Sequence, residues 1–274
     1  MHIPKTAGTS LGFVLKQLSN QNHWTAKAWD PTIHAPVLSH ATSTRHQTRA
    51  EVVYNQSFVH RGHFTPRFLQ ATHTDACLRF TVLREPVDRV LSQFYFYQSK
   101  ATAALQQQQQ QQEEESNAQY QLPATLRGYS FNMTWEDCLT PNSTVCVYWN
   151  QYQNEMTRLL SGASIAWGRH NESHVQTVVN TTTLRRTQQF LWDTDLICFW
   201  DQLEMCVQRL HQLLNLTGDP RRHISLPRKN VNEQRPRNVS SFILERIRAR
   251  NSYDLELYEW ARATFLPSPM LMTH

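Results

Sequence analysis

The 274-residue chain has little glycine, with only 7 residues, which excludes a collagen-like chain and makes each glycine in a motif more informative. It lacks an apolar run of the roughly 20 residues that a membrane span needs, and its first residues hold no apolar segment of a signal peptide. Charged residues account for only 18% and apolar residues for 40%, which excludes a disordered, highly charged chain. What is left is a globular chain long enough for a sizeable core.

Cysteines and glycosylation signals both bear on the compartment. The odd count of five cysteines leaves at least one thiol unpaired within the chain, and without a Cys-x-x-Cys pair a zinc ribbon or thioredoxin motif has no support. Seven Asn-x-Ser/Thr sequons occur where about 2.4 are expected by chance, which favours the secretory pathway. The sequons flanking Cys138 and Cys146 favour a disulfide there, although both this pair and Cys198 with Cys206 also fit buried small apolar side chains. The sequon asparagines are Asn55, Asn132, Asn142, Asn171, Asn180, Asn215 and Asn238.

Strand signals and helix signals alternate along the chain, which predicts an α/β sandwich with a largely parallel sheet. Leu78 to Leu83 has a compact strand pattern, and Pro86 suits the first turn of the helix that follows. The glutamine run at 106–112 and the glutamates after it form either a solvated insertion, over residues 101–119, or an extension of that helix. We find no internal repeat and predict a single domain over residues 1–274. Further strands are predicted at 52–53, 58–59 and 196–200, and further helices at 11–18, 145–162, 203–214, 242–247 and 253–265.

The first candidate site is the segment from His2 to Ser10. A strand end, a turn containing Gly8 and a helix follow one another, an arrangement that places backbone N–H groups and a helix N-terminus around an anion. The order differs from a Walker A loop because Lys5 precedes the glycine, and the alternative is a plain helix cap with an exposed lysine. The segment resembles the 5′-phosphosulfate-binding loop of the Golgi polysaccharide sulfotransferases, most closely the heparan sulfate 2-O- and 6-O-sulfotransferase group. That resemblance implies a P-loop-like three-layer sandwich, with the donor 3′-phosphoadenosine-5′-phosphosulfate (PAPS) bound by Lys5, Thr6, Ala7, Gly8, Thr9 and Ser10.

The second candidate site runs from Leu83 to Ser92. Arg84 leaves the predicted strand as a fork-shaped donor suited to phosphate, and Ser92 lies about two helical turns further on. The alternative is a capped helix in which Arg84 pairs with an acidic residue. The segment resembles the motif with which the same family binds the 3′-phosphate of the donor, and the resemblance assigns that role to Arg84 and Ser92.

A histidine-containing segment, Val59 to Phe64, lies between these two motifs. The family has a Gly-His pair here, and the resemblance implies that His63 is the catalytic base. It also implies that His60 is a second family-like histidine near the acceptor, displaced by one residue because Arg61 is inserted. A single histidine is more often a satisfied structural residue, and for His60 that alternative stays open.

Two weaker blocks extend the resemblance. Residues 154–162 are similar to a family helix that faces the acceptor sugar, which implies substrate binding by Asn154 and Arg158 on one helix face at i and i+4. The alternative is a plain amphipathic helix with an exposed arginine. Near the end of the chain, Asp254 and Tyr258 match the family's terminal helix and are predicted to be structural.

The segment 221–237 holds six lysines or arginines against the single acidic residue Glu233. Such a run is usually a solvated face, and it could also receive an anionic glycan. The resemblance implies a loop that closes over the nucleotide, with Lys229 or Arg228 as a cofactor contact.

Together the motifs imply an enzyme that moves a sulfuryl group from PAPS to a hydroxyl of a glycan, a polysaccharide of heparan sulfate type. In this scheme Lys5 stabilises charge at the donor's bridging oxygen, and we expect neither a metal nor a nucleic acid partner. Two alternatives come from other classes: a catalytically silent anionic-glycan-binding protein of the same fold, and a P-loop nucleotide kinase. The kinase would need a Walker A order and a Mg²⁺-binding aspartate at a strand end, and we find neither.

The first motif begins at His2, so we expect upstream sequence to supply most of the first strand. The resemblance implies that the full-length form is a type II single-pass membrane protein of the Golgi lumen, attached through an N-terminal anchor. The acceptor glycan, the position sulfated and the oligomeric state are left open by the sequence.

Overall fold

The computed structural model describes residues 14, 25–28, 58–61, 78–114, 134–135, 138, 153–161, 178–214 and 238–266. Two short strands come first, followed by a strand and a long helix, and the remaining elements are mainly helical. In chain order the elements are β1 (Thr25–Ala28), β2 (Phe58–Arg61), β3 (Phe80–Leu83), α1 (Pro86–Glu114), α2 (Glu155–Leu160), α3 (Thr181–Trp192), β4 (Leu196–Phe199), a 3₁₀ turn (Trp200–Gln202), α4 (Leu203–Leu213), α5 (Ser241–Arg250) and α6 (Ser252–Phe265).

The described strands form two parallel pairs, β1 with β2 and β3 with β4. In the second pair Phe80 lies opposite Leu196, and Leu83 lies opposite Phe199. Parallel strands need a long crossover connection between them, which is typical of an α/β fold. The predicted α/β class with parallel strands is therefore confirmed, whereas β1 lies in a stretch where no strand was predicted. The predicted strand at 52–53 lies outside the described residues.

Helices pack on both faces of the β3–β4 pair. Successive side chains of a strand point to opposite faces. Val82 and Cys198 accordingly pack with Val207 and Leu210 of α4, in a cluster that also holds the buried, helical Val14. The alternate positions on the two strands, Leu83, Ile197 and Phe199, pack instead against α2, α3 and α6. Burial on both faces explains why these strands are apolar without alternation.

Helix α1 carries the segment between the second motif and the glutamine run. Its first three turns bury one apolar face, which includes Phe94 stacked on Trp135 with ring centroids 3.9 Å apart. The helix then continues without a break through the glutamines as far as Glu114. Of the two alternatives for this low-complexity segment, the structure shows the helix extension, over residues 101–114.

Disulfides involve three of the described cysteines. Cys198 on β4 is bonded to Cys206 on α4, so this pair is a crosslink and not merely two buried apolar side chains. Cys138 is also disulfide-bonded, but its partner lies outside the described residues, and pairing with Cys146 stays a prediction. The Cys198–Cys206 bond ties the carboxyl half of β4 to the helix that covers one face of the sheet.

Two observations bear on glycosylation and on membrane spans. Asn180 and Asn238, the sequon asparagines that the structure describes, are both exposed. None of the helices within the described ranges is both long enough and apolar enough to cross a membrane.

Candidate functional site

Arg84 lies where the second motif predicted it, directly after β3 and before α1. The turn is fixed by local hydrogen bonds, because the Glu85 carboxylate accepts from the backbone N–H of Asp88 at 2.6 Å and thereby caps the helix. Pro86 occupies the first helical position, where its missing N–H costs nothing. The predicted strand–turn–helix is confirmed, and it holds Arg84 at the carboxyl edge of two parallel strands, the edge at which α/β folds bind ligands.

The Arg84 guanidinium pairs with a carboxylate of the same turn. Its Nε donates to the Asp88 carboxylate at 2.7 Å, and its Nη2 forms an ion pair with the same oxygen. The alternative in which Arg84 pairs with an acidic residue is therefore what the structure shows, and Asp88 is that residue. The pair does not decide against phosphate binding, because a guanidinium carries five N–H donors in a planar fork and can hold more than one anionic partner.

Ser92, the other residue of this motif, lies on α1 and is partly exposed. It follows Asp88 by four positions, so the two side chains occupy adjacent turns of one helix face. Asp88 in turn holds Arg84. The structure thus brings Arg84 and Ser92 to the same end of α1, with Asp88 between them.

An aromatic side chain from the neighbouring strand covers Arg84. Trp200 follows β4 directly, and the centre of its ring lies 4.5 Å from the Arg84 guanidinium carbon. Arg84 is only 8% exposed, whereas Trp200 is 44% exposed. Sequence reasoning missed Trp200, and the available signal was its place immediately after a buried strand.

A second arginine lies at the same carboxyl edge. Arg262 of α6 donates to Asp201 at 2.7 Å and to the Tyr258 hydroxyl at 2.9 Å. The hydrogen bonds that Arg262 donates to Asp201 and Tyr258 raise the pKa of Arg262, and burial raises the pKa of Tyr258. Tyr258 is buried and packs edge-on against Phe199, which agrees with the structural role predicted for it.

Asn154 differs from its predicted setting. It precedes α2 and has left-handed backbone angles, φ 47° and ψ 41°, a conformation that asparagine tolerates better than most residues. Its side-chain oxygen accepts from the backbone N–H groups of Tyr253 and Asp254 at 3.0 and 3.1 Å. The prediction of Asn154 and Arg158 side by side within one helix is therefore corrected, because Asn154 is the cap of α2 and also caps the start of α6.

Asp254 of α6 in turn caps the N-terminus of α2. Its carboxylate accepts from the backbone N–H groups of Met156 at 3.0 Å and Thr157 at 2.8 Å, the first turn of α2. A negative charge is favourable at a helix N-terminus. The two helices therefore cap each other, and the structural role predicted for Asp254 is confirmed.

A buried charge cluster surrounds Arg158. Arg89 of α1 is fully buried, pairs with Glu155 and lies 3.6 Å from Asp254. Arg158 is only 9% exposed, and its Nε has no hydrogen-bond partner among the residues that the structure describes, so the alternative of an exposed arginine is wrong. Burial lowers the pKa of Arg158 and raises that of Glu155, while the opposite charges around them counteract both shifts. The cluster joins α1, α2 and α6.

Of the other predicted site residues, the structure describes His60 and not the remaining ones. His60 lies in β2 opposite Lys27 of β1, which places its backbone inside the strand and not after it. The remaining predicted residues lie outside the described ranges: Lys5, Thr6, Ala7, Gly8, Thr9, Ser10, His63 and Lys229. Within the described part of the chain, no group of three or more histidine, cysteine, aspartate or glutamate side chains is arranged to hold a metal.

The fold is that of an α/β protein with parallel strands. Its candidate anion site is the buried Arg84 at the carboxyl edge of one strand pair. A model of the sulfotransferase family matches residues 1–261. The chain belongs to the sulfotransferase family, and the activity that this membership supports is sulfuryl transfer. A comparison with curated proteins found no match.

Proposed function

We propose that this sulfotransferase moves a sulfuryl group from PAPS to a hydroxyl of a glycan, a polysaccharide of heparan sulfate type. The observation that carries the proposal is Arg84, a buried guanidinium held at the carboxyl end of β3 by Asp88 and placed beside the helix turn that carries Ser92. Guanidinium groups bind phosphate through parallel N–H bonds. Arg84 and Ser92 therefore fit the 3′-phosphate of the donor.

The donor supplies an activated sulfuryl group on a phosphate when it is bound. In this proposal the segment from Lys5 to Ser10 binds that phosphate, and Lys5 stabilises negative charge that develops in the transition state. His63 takes the proton of the acceptor hydroxyl as a general base, a role that suits histidine because the unperturbed imidazole pKa is about 6.5. Lys229 contacts the nucleotide, and no metal takes part.

The acceptor side of the proposal involves His60 and helix α2, which carries Arg158. Arg158 is held near Glu155 and Asp254, and its Nε finds no partner within the described part of the chain. A buried, unsatisfied N–H donor is costly unless a ligand or water completes it. The side-chain oxygen of Asn154 already accepts a hydrogen bond from α6. Asn154 therefore contributes by fixing the helix on which Arg158 lies.

We also propose a P-loop-like three-layer sandwich as the complete fold. The proposed location is the Golgi lumen, with a type II membrane anchor.

Donor binding is tested by measuring the affinity of 3′-phosphoadenosine-5′-phosphate by calorimetry. Arg84→Ala should weaken it about 10- to 100-fold, because a hydrogen bond to a charged group is worth about 1.5–3 kcal/mol. The matched control is Arg79→Ala, since Arg79 lies at the opposite end of the same strand and pairs with Asp195. Equal affinities for the two variants would remove Arg84 from the donor site.

Transfer is tested with radiolabelled donor across a panel of glycans, followed by disaccharide analysis of the product. His63→Ala should lower the rate by about 10² to 10⁴-fold with nearly unchanged nucleotide affinity, which is the usual size of a general-base contribution. His60→Ala is the comparison variant and should cost far less, because the proposal does not make His60 the base. Binding of an anionic polysaccharide without any transfer would favour a silent glycan-binding protein, and consumption of a nucleoside triphosphate would favour a kinase.

A further inference from the structure

Trp200 occupies a position that the proposed function does not explain. Leu83 and Phe199 are the last opposed residues of β3 and β4, so Arg84 and Trp200 leave neighbouring parallel strands at the same level. Trp200 begins the 3₁₀ turn that leads into α4. The fold itself therefore brings this indole ring to the guanidinium of the candidate phosphate site.

Among the described residues, Asp88 and Trp200 fix the Arg84 guanidinium from different directions. Asp88 holds it from within the guanidinium plane, with the Nε contact at 2.7 Å, and the Trp200 ring lies over it with 4.5 Å between ring centroid and guanidinium carbon. Tryptophan is the strongest of the cation–π partners. A long side chain that is already immobilised loses less conformational entropy when it binds a ligand, so this stack prepares Arg84 for an anion.

A purely structural role for Trp200 has little support. The ring is 44% exposed, and Trp200 belongs to none of the apolar clusters found among the described residues. Its side chain therefore contributes little to the core that the structure describes, and its ring lies against Arg84.

We propose that Trp200 is a positioning residue, which acts through Arg84 to set the enzyme's preference for nucleotides that carry a 3′-phosphate. The inference rests on the proposed function, since it assumes that Arg84 contacts this phosphate. It adds a specificity determinant from the turn after β4 to a motif that otherwise lies at the junction of β3 and α1. The preference for a 3′-phosphate is the quantity that Trp200 changes, not the affinity for adenine nucleotides in general.

The test compares the dissociation constants of 3′-phosphoadenosine-5′-phosphate and AMP, which lacks the 3′-phosphate. Trp200→Ala should weaken binding of the bisphosphate about 2- to 30-fold, the range expected for loss of a cation–π contact, and leave AMP within twofold of the wild type. The affinity of Trp200→Phe for the bisphosphate should fall between those of the wild type and Trp200→Ala, because phenylalanine keeps an aromatic face. Trp192→Ala is the matched control, since Trp192 is an exposed tryptophan on α3 and should leave both constants unchanged.

A double variant separates positioning from direct contact. In an Arg84→Ala background, Trp200→Ala should have no further effect on the ratio of the two constants, because the residue through which it acts is gone. Equal weakening of both nucleotides by Trp200→Ala, or an unchanged ratio, would overturn the inference. If the wild type itself shows no preference for the bisphosphate, both the proposed function and this inference fail. A preference that depends on Arg84 but not on Trp200 overturns the inference alone.

Discussion

The buried charge cluster predicts a large loss of stability when one member is removed. Arg89 is fully buried, pairs with Glu155, donates to Gln93 at 3.0 Å and lies 3.6 Å from Asp254. Together with Arg158, the described members of the cluster are two guanidinium groups and two carboxylates. Arg89→Met roughly keeps the side chain's length but leaves one guanidinium against two carboxylates inside the protein.

The magnitude follows from the burial of both partners. Removing one member of a buried ion pair costs about 3–5 kcal/mol, because the remaining charge is left uncompensated. In a chain of this size each kcal/mol corresponds to about 2–4 °C in the unfolding midpoint, so Arg89→Met should lower Tm by about 6–20 °C. The control is Arg185→Met on the exposed face of α3, which should change stability by no more than about 0.5 kcal/mol.

A second variant tests whether charge imbalance is the cause. Arg89→Met combined with Glu155→Met leaves Arg158 and Asp254, one charge of each sign. Replacing both members of a buried pair by apolar side chains is often neutral, so the double variant should recover most of the lost stability. Urea unfolding of the three variants gives the comparison directly.

The pH dependence provides an independent readout. Burial raises the pKa of Glu155, while Arg89 and Arg158 lower it, so loss of Arg89 should raise this pKa further. A carboxyl group with a higher pKa in the folded than in the unfolded chain reduces stability while it is ionised, and the penalty disappears as pH falls below the ordinary value. The deficit of Arg89→Met relative to the wild type should therefore shrink as the pH is lowered from 7 toward the ordinary carboxyl pKa of 4.5. Equal midpoints for Arg89→Met and the Arg185→Met control, or a deficit that grows toward pH 5, would refute the reasoning.

Three further predictions concern a lysine and two disulfides. Lys5→Ala should lower turnover by several orders of magnitude and weaken binding of the desulfated nucleotide far less, because the charge it stabilises develops only in the transition state; a fully active variant in steady-state assays would exclude Lys5 from the mechanism. Mass spectrometry of unreduced peptides should show Cys138 bonded to Cys146, and a bond from Cys138 to another cysteine would contradict this pairing. Replacing Cys198 and Cys206 together by alanine should lower the free energy of unfolding by about 2–3 kcal/mol, and an unchanged urea midpoint would show that the crosslink does not stabilise the fold.

Prediction from sequence succeeded where the signal is local. The strand before Arg84 and the helix after Pro86 were predicted because an apolar run, a turn and an N-terminal proline lie within a few residues of one another. Helices α4, α5 and α6 were predicted from apolar periodicity in the same way. The sequence patterns do not predict helix α3. It opens with three threonines, which have low helix propensity, and its signal was the Asn180 cap, whose side-chain oxygen accepts from the Thr183 N–H.

The sequence by itself therefore determined the alternation of strands and helices and the placement of Arg84 and Ser92 on a strand–turn–helix unit. Only the tertiary structure decided which groups surround them. Arg89 and Glu155 are separated by 66 positions, and Asp254 and Asn154 by 100. Trp200 reaches Arg84 only because β4 pairs with β3. Local patterns report the period of a helix or strand but not which distant segment packs against it, because that choice depends on burial of the whole core.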